Sequence, residues 1–338
     1  MLLAFELSGE HGTIPYSEVI ACLESLKVDF SIHLRLDGCL IVELRGDAGR
    51  IADILSGRLA MTHHIIKVLG ISGMSEEEIL DMVGRADFEF EGTYSVRVRR
   101  IKQYSDINTE IMEKRIGGIF YHRGARADLR NPDIRFRVLL TEKSCIFGEI
   151  LSSINRSDFE SRKPHHKPFF YPGVLMPRVA RALVNMAKPG ECLLDPFCGT
   201  GGILVEAGLI GINVMGGDVQ RKLLSGARTN LQHYNARYFL MYQDACKMAL
   251  RDGSVDAVVT DPPYGRSAAI KARSLDHLLE CSLNEIYRVL KNGKRAVFIS
   301  EREIGLFAEK TGFRKVESHL QRVHRSLTRR IYVLEKSL

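Results

Sequence analysis

The segment TDPPYG, residues 260–265, places an acid, two prolines and a tyrosine directly after the apolar run DAVV. Because proline fixes φ and has no N–H donor, the strand must end here, and the corner presents acceptors without competing N–H donors. These acceptors are the Asp261 carboxylate and the Pro262 carbonyl, next to the ring of Tyr264. Such a combination suits a planar exocyclic amine, which donates its hydrogens while its base stacks on the ring. The segment predicts a catalytic, amine-binding corner, and its chemistry leaves adenine, cytosine and guanine open.

A glycine-rich loop, DPFCGTGG at residues 195–202, follows an earlier apolar strand and precedes a predicted helix. Gly199 and Gly201 allow a tight turn and the close approach of a ligand to main-chain N–H groups. The loop has neither the Gly-Lys-Ser/Thr that holds a triphosphate nor the G-x-G-x-x-G spacing that holds a pyrophosphate. Asp195 precedes the glycines, and a carboxylate there repels phosphate. The loop therefore predicts a ligand with cationic or hydroxyl groups.

Two further acids end the next two predicted strands. Asp218 closes NVMGGD about 20 residues after the loop, where a carboxylate can accept both hydroxyls of a ribose. Asp244 follows YFLMYQ, where it can accept from an adenine amino group. A single acid at a strand end is as often a turn or cap residue. Three of them at the carboxyl ends of neighbouring strands predict an adenosine with a positive, phosphate-free tail, and S-adenosylmethionine fits this description.

The second half of the chain must supply the sheet that positions these residues. Short, continuous apolar strands alternate with helical patterns, as expected for strands buried on both faces of a mostly parallel sheet. The last two strands, FRKVESHL and RRIYVLE, follow each other without a helix and predict an antiparallel hairpin at the sheet edge. We therefore expect an α/β domain with a seven-stranded sheet over residues 169–338.

The first half has a different rhythm. Residues 1–70 read strand, helix, strand, strand, helix, strand, with an Asp-Gly turn at 37–38, and predict a ferredoxin-like α+β unit. Residues 71–153 predict a second α+β unit, whose first helix begins at Ser75 with three glutamates in its first turn. Residues 154–168 are polar, contain prolines and show no period, so they are predicted to be a linker.

The second unit contains a basic strand, GTYSVRVRRI, with Arg97, Arg99 and Arg100. Further basic residues outnumber acids up to residue 137. A charge run in isolation is more often a solvated face, but arginine is well suited to forked contacts with phosphate. The segment is the best candidate for a nucleic-acid surface in the first half of the chain.

The composition sets looser bounds. The chain has 338 residues and a net charge of +7, which mildly favours a polyanionic partner. No apolar run approaches the roughly 20 residues of a membrane helix, and the amino terminus turns polar too early for a signal peptide, so a cytoplasmic protein is expected. The seven cysteines are scattered without zinc-ligand spacing, and we expect reduced thiols and no metal site. Nothing in the sequence indicates an obligate protein partner.

Longer stretches of the sequence resemble known families. Residues 164–338 resemble a Rossmann-like, S-adenosylmethionine-dependent amino-methyltransferase, with DPFCGTGG as the cofactor loop and DPPY as the amine-binding motif. The runs KPFFYPGVLMPRVARALVNMA and HRSLTRR are more narrowly similar to archaeal tRNA guanosine-10 N2-methyltransferases. Residues 71–153, with VRVRRI, IGGIF and DLRNPDIRFRV, resemble a THUMP domain, an RNA-binding module of tRNA-modifying enzymes. The sequence departs from the family pattern at Lys167, where arginine is expected, and at Tyr171, where histidine is frequent.

The resemblance implies a role for each candidate site residue. The methionine part of S-adenosylmethionine would be held by Asp195, Gly199 and Gly201, the ribose by Asp218 and the adenine by Asp244, with Phe169 and Phe170 covering the cofactor. The target guanine would be bound by Asp261, Pro262 and Tyr264. Contacts to the RNA would come from Arg97, Arg99, Arg100, His324, Arg325 and Arg329. For the last three, on the final hairpin, solvated edge-strand charges are the alternative.

These implications lead to one hypothesis and two alternatives. The chain is expected to transfer one or two methyl groups from S-adenosylmethionine to N2 of guanosine 10 in tRNA, while the THUMP and ferredoxin-like units grip the tRNA. Because that nitrogen lies in the tRNA core, the base must be exposed or flipped into the site. The same corner would also serve adenine N6 or another guanine N2 in DNA or ribosomal RNA. The alternative of another class is a non-catalytic RNA-binding adaptor.

Overall fold

The computed structural model describes residues 1–88, 92–264, 274–325 and 327–337. Gly265, which ends the TDPPYG segment, and Ser326, in the HRSLTRR segment, lie outside these ranges. Two compact units make up the chain. The first contains Met1–Tyr16, Lys27–Gly57 and Met61–Ile154, and the second contains Ser17–Leu26, Arg58–Ala60 and Asn155–Leu338. Within the described ranges, none of the helices has the length and apolar character that a membrane crossing requires.

The first unit is built on one eight-stranded sheet. Its strands are β1 (Leu2–Leu7), β2 (Phe30–Leu36), β3 (Cys39–Leu44), β4 (Thr62–Ser72), β5 (Thr93–Arg100), β6 (Arg126–Ala127), β7 (Ile134–Leu140) and β8 (Cys145–Ser153). The helices in this part of the chain are α1 (Ile14–Ser25), α2 (Ala48–Ser56), α3 (Glu76–Arg85) and α4 (Thr109–His122), of which α1 belongs largely to the second unit. The strand order is β2-β3-β1-β4-β8-β7-β5-β6.

Strand β4 joins the two predicted N-terminal units. One of its edges pairs antiparallel with β1 and the other pairs antiparallel with β8. The proposed boundary between residues 70 and 71 therefore falls inside a strand of eleven residues. The element order up to β4 is strand, helix, strand, strand, helix, strand, as predicted, and the division into two domains stays a proposal.

Local signals account for several element ends in the first unit. Ser75 caps α3 and accepts from Glu78 N, while the Glu78 carboxylate accepts from Ser75 N, a reciprocal capping box. Gly38 has a φ of +70° at the turn between β2 and β3, where the Asp-Gly pair predicted a hairpin. Helices α3 and α4 bury apolar side chains such as Val83 and Phe120 against the sheet. Packing of these amphipathic faces therefore supplies the core of residues 75–148.

The second unit carries a seven-stranded sheet. Its strands are β9 (Cys192–Asp195), β10 (Asn213–Asp218), β11 (Tyr238–Tyr242), β12 (Val255–Thr260), β13 (Leu290–Ser300), β14 (Phe313–His324) and β15 (Leu327–Lys336). Its helices are α5 (Ser157–Ser161), α6 (Pro177–Met186), α7 (Gly202–Gly208), α8 (Arg221–His233), α9 (Leu275–Val289) and α10 (Gly305–Thr311). The strand order is β11-β10-β9-β12-β13-β15-β14.

The directions of these strands confirm the expected mixed sheet. Strands β9 to β13 run parallel, and β15 runs antiparallel between β13 and β14. Because the parallel strands share one direction, their carboxyl ends meet at one edge of the sheet. Gly216 of β10 pairs with Asp195 of β9, and Val258 of β12 pairs with Leu194. The sheet therefore brings the acids that end β9 and β10, and the acid that follows β12, to a common edge.

Two local expectations are changed by the structure. The segment predicted as a linker contains α5 and a 3-10 turn at Pro164–His166, and it buries the side chain of Phe159 in the second unit. Cys246 and Cys281 form a disulfide with a Cα–Cα distance of 4.9 Å, so the prediction of reduced thiols is wrong for this pair. Sequence spacing could not reveal the pairing because the two residues come together only when α9 packs beside the segment after β11.

Candidate active site

The glycine loop between β9 and α7 turns at two residues with positive φ, Gly199 at +51° and Gly201 at +78°. L-amino acids with a side chain rarely take this conformation. A Cβ built on Gly201 would lie 3.4 Å from the Cβ of Ala227, so the loop also lies close against α8. The N–H of Gly199 donates to Asp218 Oδ2 at 3.0 Å. This bond joins the loop to the end of β10.

Asp195 lies beneath the loop and is only 2% exposed. Its Oδ1 accepts from the N–H of Phe197 at 3.1 Å and from Thr260 Oγ1 at 2.7 Å. Burial raises the pKa of Asp195 to about 7 even though these hydrogen bonds oppose the shift, and the nearby Asp261 adds to it. Thr260 was not among the predicted site residues. Its side chain links the end of β12 to the end of β9.

Burial of Asp195 should make the free protein less stable as the pH rises. The unfolded carboxyl loses its proton near pH 3.8 and the folded one near 7, so stability falls across this window and stays reduced above it. Asp195→Asn keeps an oxygen for Phe197 and Thr260 but removes the charge. We expect the variant to melt at a higher temperature than the wild type at pH 8, with the difference vanishing near pH 4. Calorimetry across this range tests it, and a difference that does not change with pH would contradict it.

Asp218 ends β10 and Asp244 follows β11, and the two acids differ in burial. Asp218 is 8% exposed, and burial raises its pKa. Its Oδ1 accepts from Gln220 N at 2.8 Å. Asp244 is exposed, and its Oδ1 accepts from Cys246 N at 2.9 Å. Beside them, the buried Nε2 of Gln243 has no hydrogen-bond partner among the described residues. The end of β11 thus offers an acceptor and a donor, of which only the acceptor was predicted.

A cleft opens between the glycine loop and the segment before α6. Its lining includes residues 171–175, residues 197–200, Leu223, Asp195 and Asp261. Phe169 instead packs on α8 with its ring against Gly226, and Phe170 is 52% exposed. The structure thus brings Asp195, Gly199 and Asp261 together around one cleft. Among the described residues before α6, Tyr171 lines this cleft, whereas Phe169 and Phe170 do not.

A buried ionic cluster supports the back of the loop. Glu206 of α7 is fully buried and accepts from Arg162 Nε at 2.9 Å, while Arg181 Nη2 lies 3.0 Å from its Oε2. Lys167 is 7% exposed, and its Nζ lies 3.8 Å from a Cβ built on Gly202. Burial lowers the pKa of Lys167, and Glu206 opposes that shift. The cluster places three cations and one carboxylate behind the glycine loop.

The DPPY corner follows β12 and is closed by hydrogen bonds. Tyr264 Oη donates to Asp261 Oδ1 and accepts from Arg329 Nε at 3.1 Å. Arg329 Nη2 lies 3.5 Å from Asp261 Oδ2. Burial raises the pKa of Asp261 and also raises that of Tyr264. The structure therefore brings Asp261 and Tyr264 together as predicted from the motif, and it adds Arg329, which had been assigned to the RNA.

The other candidate RNA contacts lie in both units. In the first unit, Arg99 forms an ion pair with the buried Glu6, and Arg97 Nη1 lies 3.1 Å from Glu113 Oε2. Arg100 is exposed and donates to the carbonyl of Ser105 at 3.3 Å. In the second unit, His324 and Arg325 are exposed beside the turn of the final hairpin. No set of three or more potential metal ligands occurs in the described ranges.

This geometry can bind a small ligand in the cleft and hold an amine beside it. The Asp195 carboxylate and the backbone at Gly199 line one side, Asp218 accepts from the N–H of Gly199, and Asp261 offers acceptors at the corner. All these groups lie at the carboxyl edge of one sheet, where ligands of open α/β sheets bind. The arrangement suits transfer of a group from a ligand in the cleft to an amine at the corner.

Comparisons with known proteins agree with this interpretation. Residues 164–331 match the RMKL-like methyltransferase domain family, and residues 75–148 match the THUMP domain family. The chain is 34% identical to a tRNA (guanine(10)-N2)-dimethyltransferase of Methanothermobacter thermautotrophicus, covering 98% of both chains. It is 33% identical to a protein of the same description from Methanocaldococcus jannaschii, covering 99% of this chain and 100% of that one. The crystal structure of TrmN from Thermus thermophilus has the same fold, with a TM-score of 0.57 and 22% identity over 99% of this chain and 100% of that chain.

Proposed function

Because this chain belongs to the family of tRNA (guanine(10)-N2)-dimethyltransferases, we propose that it transfers one or two methyl groups from S-adenosylmethionine to N2 of guanosine 10 in tRNA. The family is a group of S-adenosylmethionine-dependent tRNA guanine-N2 methyltransferases that carry a THUMP domain. The observation that carries the proposal is the corner at the carboxyl edge of the sheet, where Tyr264 is hydrogen-bonded to Asp261 and Asp261 lines the cleft.

The cleft fits the cofactor. Its glycine loop allows close approach, and Asp195 is a buried carboxylate with a raised pKa that a cationic ligand would hold in its ionised form. We assign the methionine part to Asp195, Gly199 and Gly201. The ribose hydroxyls are assigned to Asp218 and the adenine to Asp244. When bound, S-adenosylmethionine supplies an electrophilic methyl group.

The corner prepares the nucleophile. The exocyclic nitrogen of guanine is weakly nucleophilic because its lone pair is delocalised into the base. Asp261 and the Pro262 carbonyl would accept its two hydrogens and pull the nitrogen toward a tetrahedral geometry, while Tyr264 would stack on the base. Much of the acceleration would come from positioning this amine beside the cleft. Phe169 and Phe170, which we had placed over the cofactor, would have to move toward the cleft to do so.

Recognition of tRNA is assigned to exposed cationic side chains. Arg100 and Arg325 are exposed, and each is expected to neutralise about one phosphate. Arg97 and His324 are assigned to the same role. Arg99 is already paired with Glu6 and is expected to contribute mainly to the stability of the first unit.

Replacement of Arg100 or Arg325 by alanine is expected to weaken tRNA binding and to lower the slope of log affinity against log salt concentration by about 1. Filter binding at several salt concentrations measures both quantities. Arg45→Ala serves as the control, because Arg45 is also exposed in the first unit and pairs with Asp29 at 3.6 Å. Equal effects of all three substitutions would argue against specific phosphate contacts at Arg100 and Arg325.

The function itself is tested by incubating the protein with an unmodified tRNA transcript and S-adenosylmethionine labelled in the methyl group. Digestion to nucleosides should yield N2-methylguanosine or N2,N2-dimethylguanosine, and nuclease mapping should place it at position 10. A transcript with adenosine at position 10 should accept no label. Label in adenine, or in a guanosine at another position, would overturn the proposal.

A further inference from the structure

Arg329 reaches the catalytic corner because of the way the final hairpin joins the sheet. Strand β15 runs antiparallel to β13, and its Arg330 pairs with Ser300, the last residue of β13. The beginning of an antiparallel strand lies at the sheet edge where parallel strands end. Arg329 is therefore at the edge where β12 ends and Asp261 follows. It also lies on the inner strand of the hairpin, between β13 and β14, rather than on the outer one.

Arg329 contacts both functional side chains of the corner. Its Nε donates to Tyr264 Oη at 3.1 Å, and its Nη2 lies 3.5 Å from Asp261 Oδ2. Tyr264 completes the set by donating its hydroxyl hydrogen to Asp261 Oδ1. We call these three residues the corner triad. Only 8% of Arg329 is exposed, so its guanidinium is engaged inside the protein rather than presented to a phosphate.

The charges around Asp261 indicate what Arg329 contributes. Burial raises the pKa of Asp261, whereas the charge of Arg329 and the hydrogen bond of Tyr264 lower it. The negative charge of Asp261 in turn raises the pKa of Asp195, which ends β9. In the described part of the chain, Arg329 is thus the cation that opposes the effect of burial on Asp261. Without it, the carboxyl would bind a proton more readily.

We propose that Arg329 is a positioning residue that keeps the Asp261 carboxylate ionised and fixed in place to receive the exocyclic amine. The inference rests on the proposed function, since it assigns Arg329 to the same amine-binding corner. An ionised carboxylate only accepts hydrogen bonds, whereas a protonated one presents an O–H donor that would oppose the amine hydrogens. The amine must also displace the Tyr264 hydroxyl from Oδ1. During that exchange, Arg329 continues to pair with Oδ2 and holds the carboxylate in its orientation.

The test compares Arg329→Gln, Arg329→Lys and wild type by the pH dependence of the single-turnover rate of methyl transfer to tRNA. In the Gln variant, the acidic limb of the pH–rate profile should move upward by about 1 to 3 pH units, because a neighbouring positive charge lowers the pKa of a carboxyl by about that amount. At a pH on the acidic side of the variant's limb, its rate should be at least about tenfold lower than the wild-type rate at the same pH, and this difference should disappear as the pH rises. The Lys variant retains a positive charge, so its limb should stay close to the wild-type position. Arg330→Gln is the matched control, because Arg330 is the next residue and lies 3.6 Å from Glu303.

Binding measurements separate this role from the alternatives. Affinity for S-adenosylhomocysteine and the salt dependence of tRNA binding should be unchanged in Arg329→Gln. A weaker tRNA complex with a smaller salt slope and an unshifted acidic limb would identify a phosphate contact and overturn the proposal. Equal loss at every pH in the Gln and Lys variants, with loss of S-adenosylhomocysteine binding, would identify a purely structural residue and also overturn it. A wild-type protein that methylates no guanosine would remove the proposed function, whereas an unshifted limb in an active enzyme removes only this inference.

Discussion

Replacing Asp261 with alanine is expected to abolish nearly all methyl transfer. The single-turnover rate should fall by about 10²- to 10⁴-fold. The reason is that Asp261 provides the carboxylate acceptor of the corner, next to the Tyr264 hydroxyl and the Arg329 guanidinium. Affinity for tRNA and for S-adenosylhomocysteine should change little, because neither ligand is assigned mainly to this carboxylate. Rapid mixing with labelled cofactor measures the rate, and calorimetry measures the two affinities.

Asp261→Asn sharpens this experiment. Asparagine keeps one oxygen for the amine but loses the charge and introduces a competing donor. Its rate should therefore lie between those of the wild type and the alanine variant. Retained turnover in Asp261→Ala would remove the catalytic assignment of Asp261. If both variants lost cofactor binding, the role of Asp261 would instead be to maintain the structure of the cleft.

Replacing Glu206 with alanine is expected to destabilise the second unit by about 3 to 5 kcal/mol. Glu206 is fully buried and pairs with Arg162 and Arg181, and the Arg181 Nε also donates to its backbone carbonyl at 2.9 Å. Removal of the carboxylate leaves these guanidinium groups, together with Lys167, without their shared counter-charge. The melting transition of the second unit can be identified in calorimetry because S-adenosylhomocysteine should raise its temperature.

Glu160 offers a matched control for Glu206. It also pairs with two cations, Lys163 and Arg178, but 46% of its side chain is exposed. Because water screens exposed ion pairs, Glu160→Ala should destabilise the second unit far less than Glu206→Ala does. Equal losses of stability in the two variants would show that the buried cluster around Glu206 stabilises the unit no more than the exposed ion pairs of Glu160 do.

Several features of the fold were predictable from sequence because their signals are local. The capping box at Ser75 and the Asp-Gly turn at Gly38 each depend on a few neighbouring residues. The same holds for the corner at Asp261, where two prolines end β12 whatever surrounds them. The mostly parallel sheet followed from apolar strands that alternate with helices, a pattern that extends over the whole second unit.

The state of the charged residues was not predictable in the same way. Arg99 and Arg329 both belong to basic segments and were assigned to RNA, yet each is paired with an acid in the folded chain. Glu6 lies 93 residues from Arg99 in sequence, and Tyr264 lies 65 residues from Arg329. Thr260 was overlooked for a related reason, since its hydrogen bond to Asp195 also spans 65 residues.

The sequence by itself determined which chemical groups this protein can bring to a reaction and the order of the strands and helices that carry them. Tertiary structure decided which of those groups are buried, which are already paired, and which face the cleft. The physical reason is that residue type sets the charge and hydrogen-bonding capacity of a side chain, whereas its pKa and its availability depend on the solvent and on partners brought from distant parts of the chain. For Arg329, that difference turns a candidate RNA contact into a proposed partner of the catalytic carboxylate.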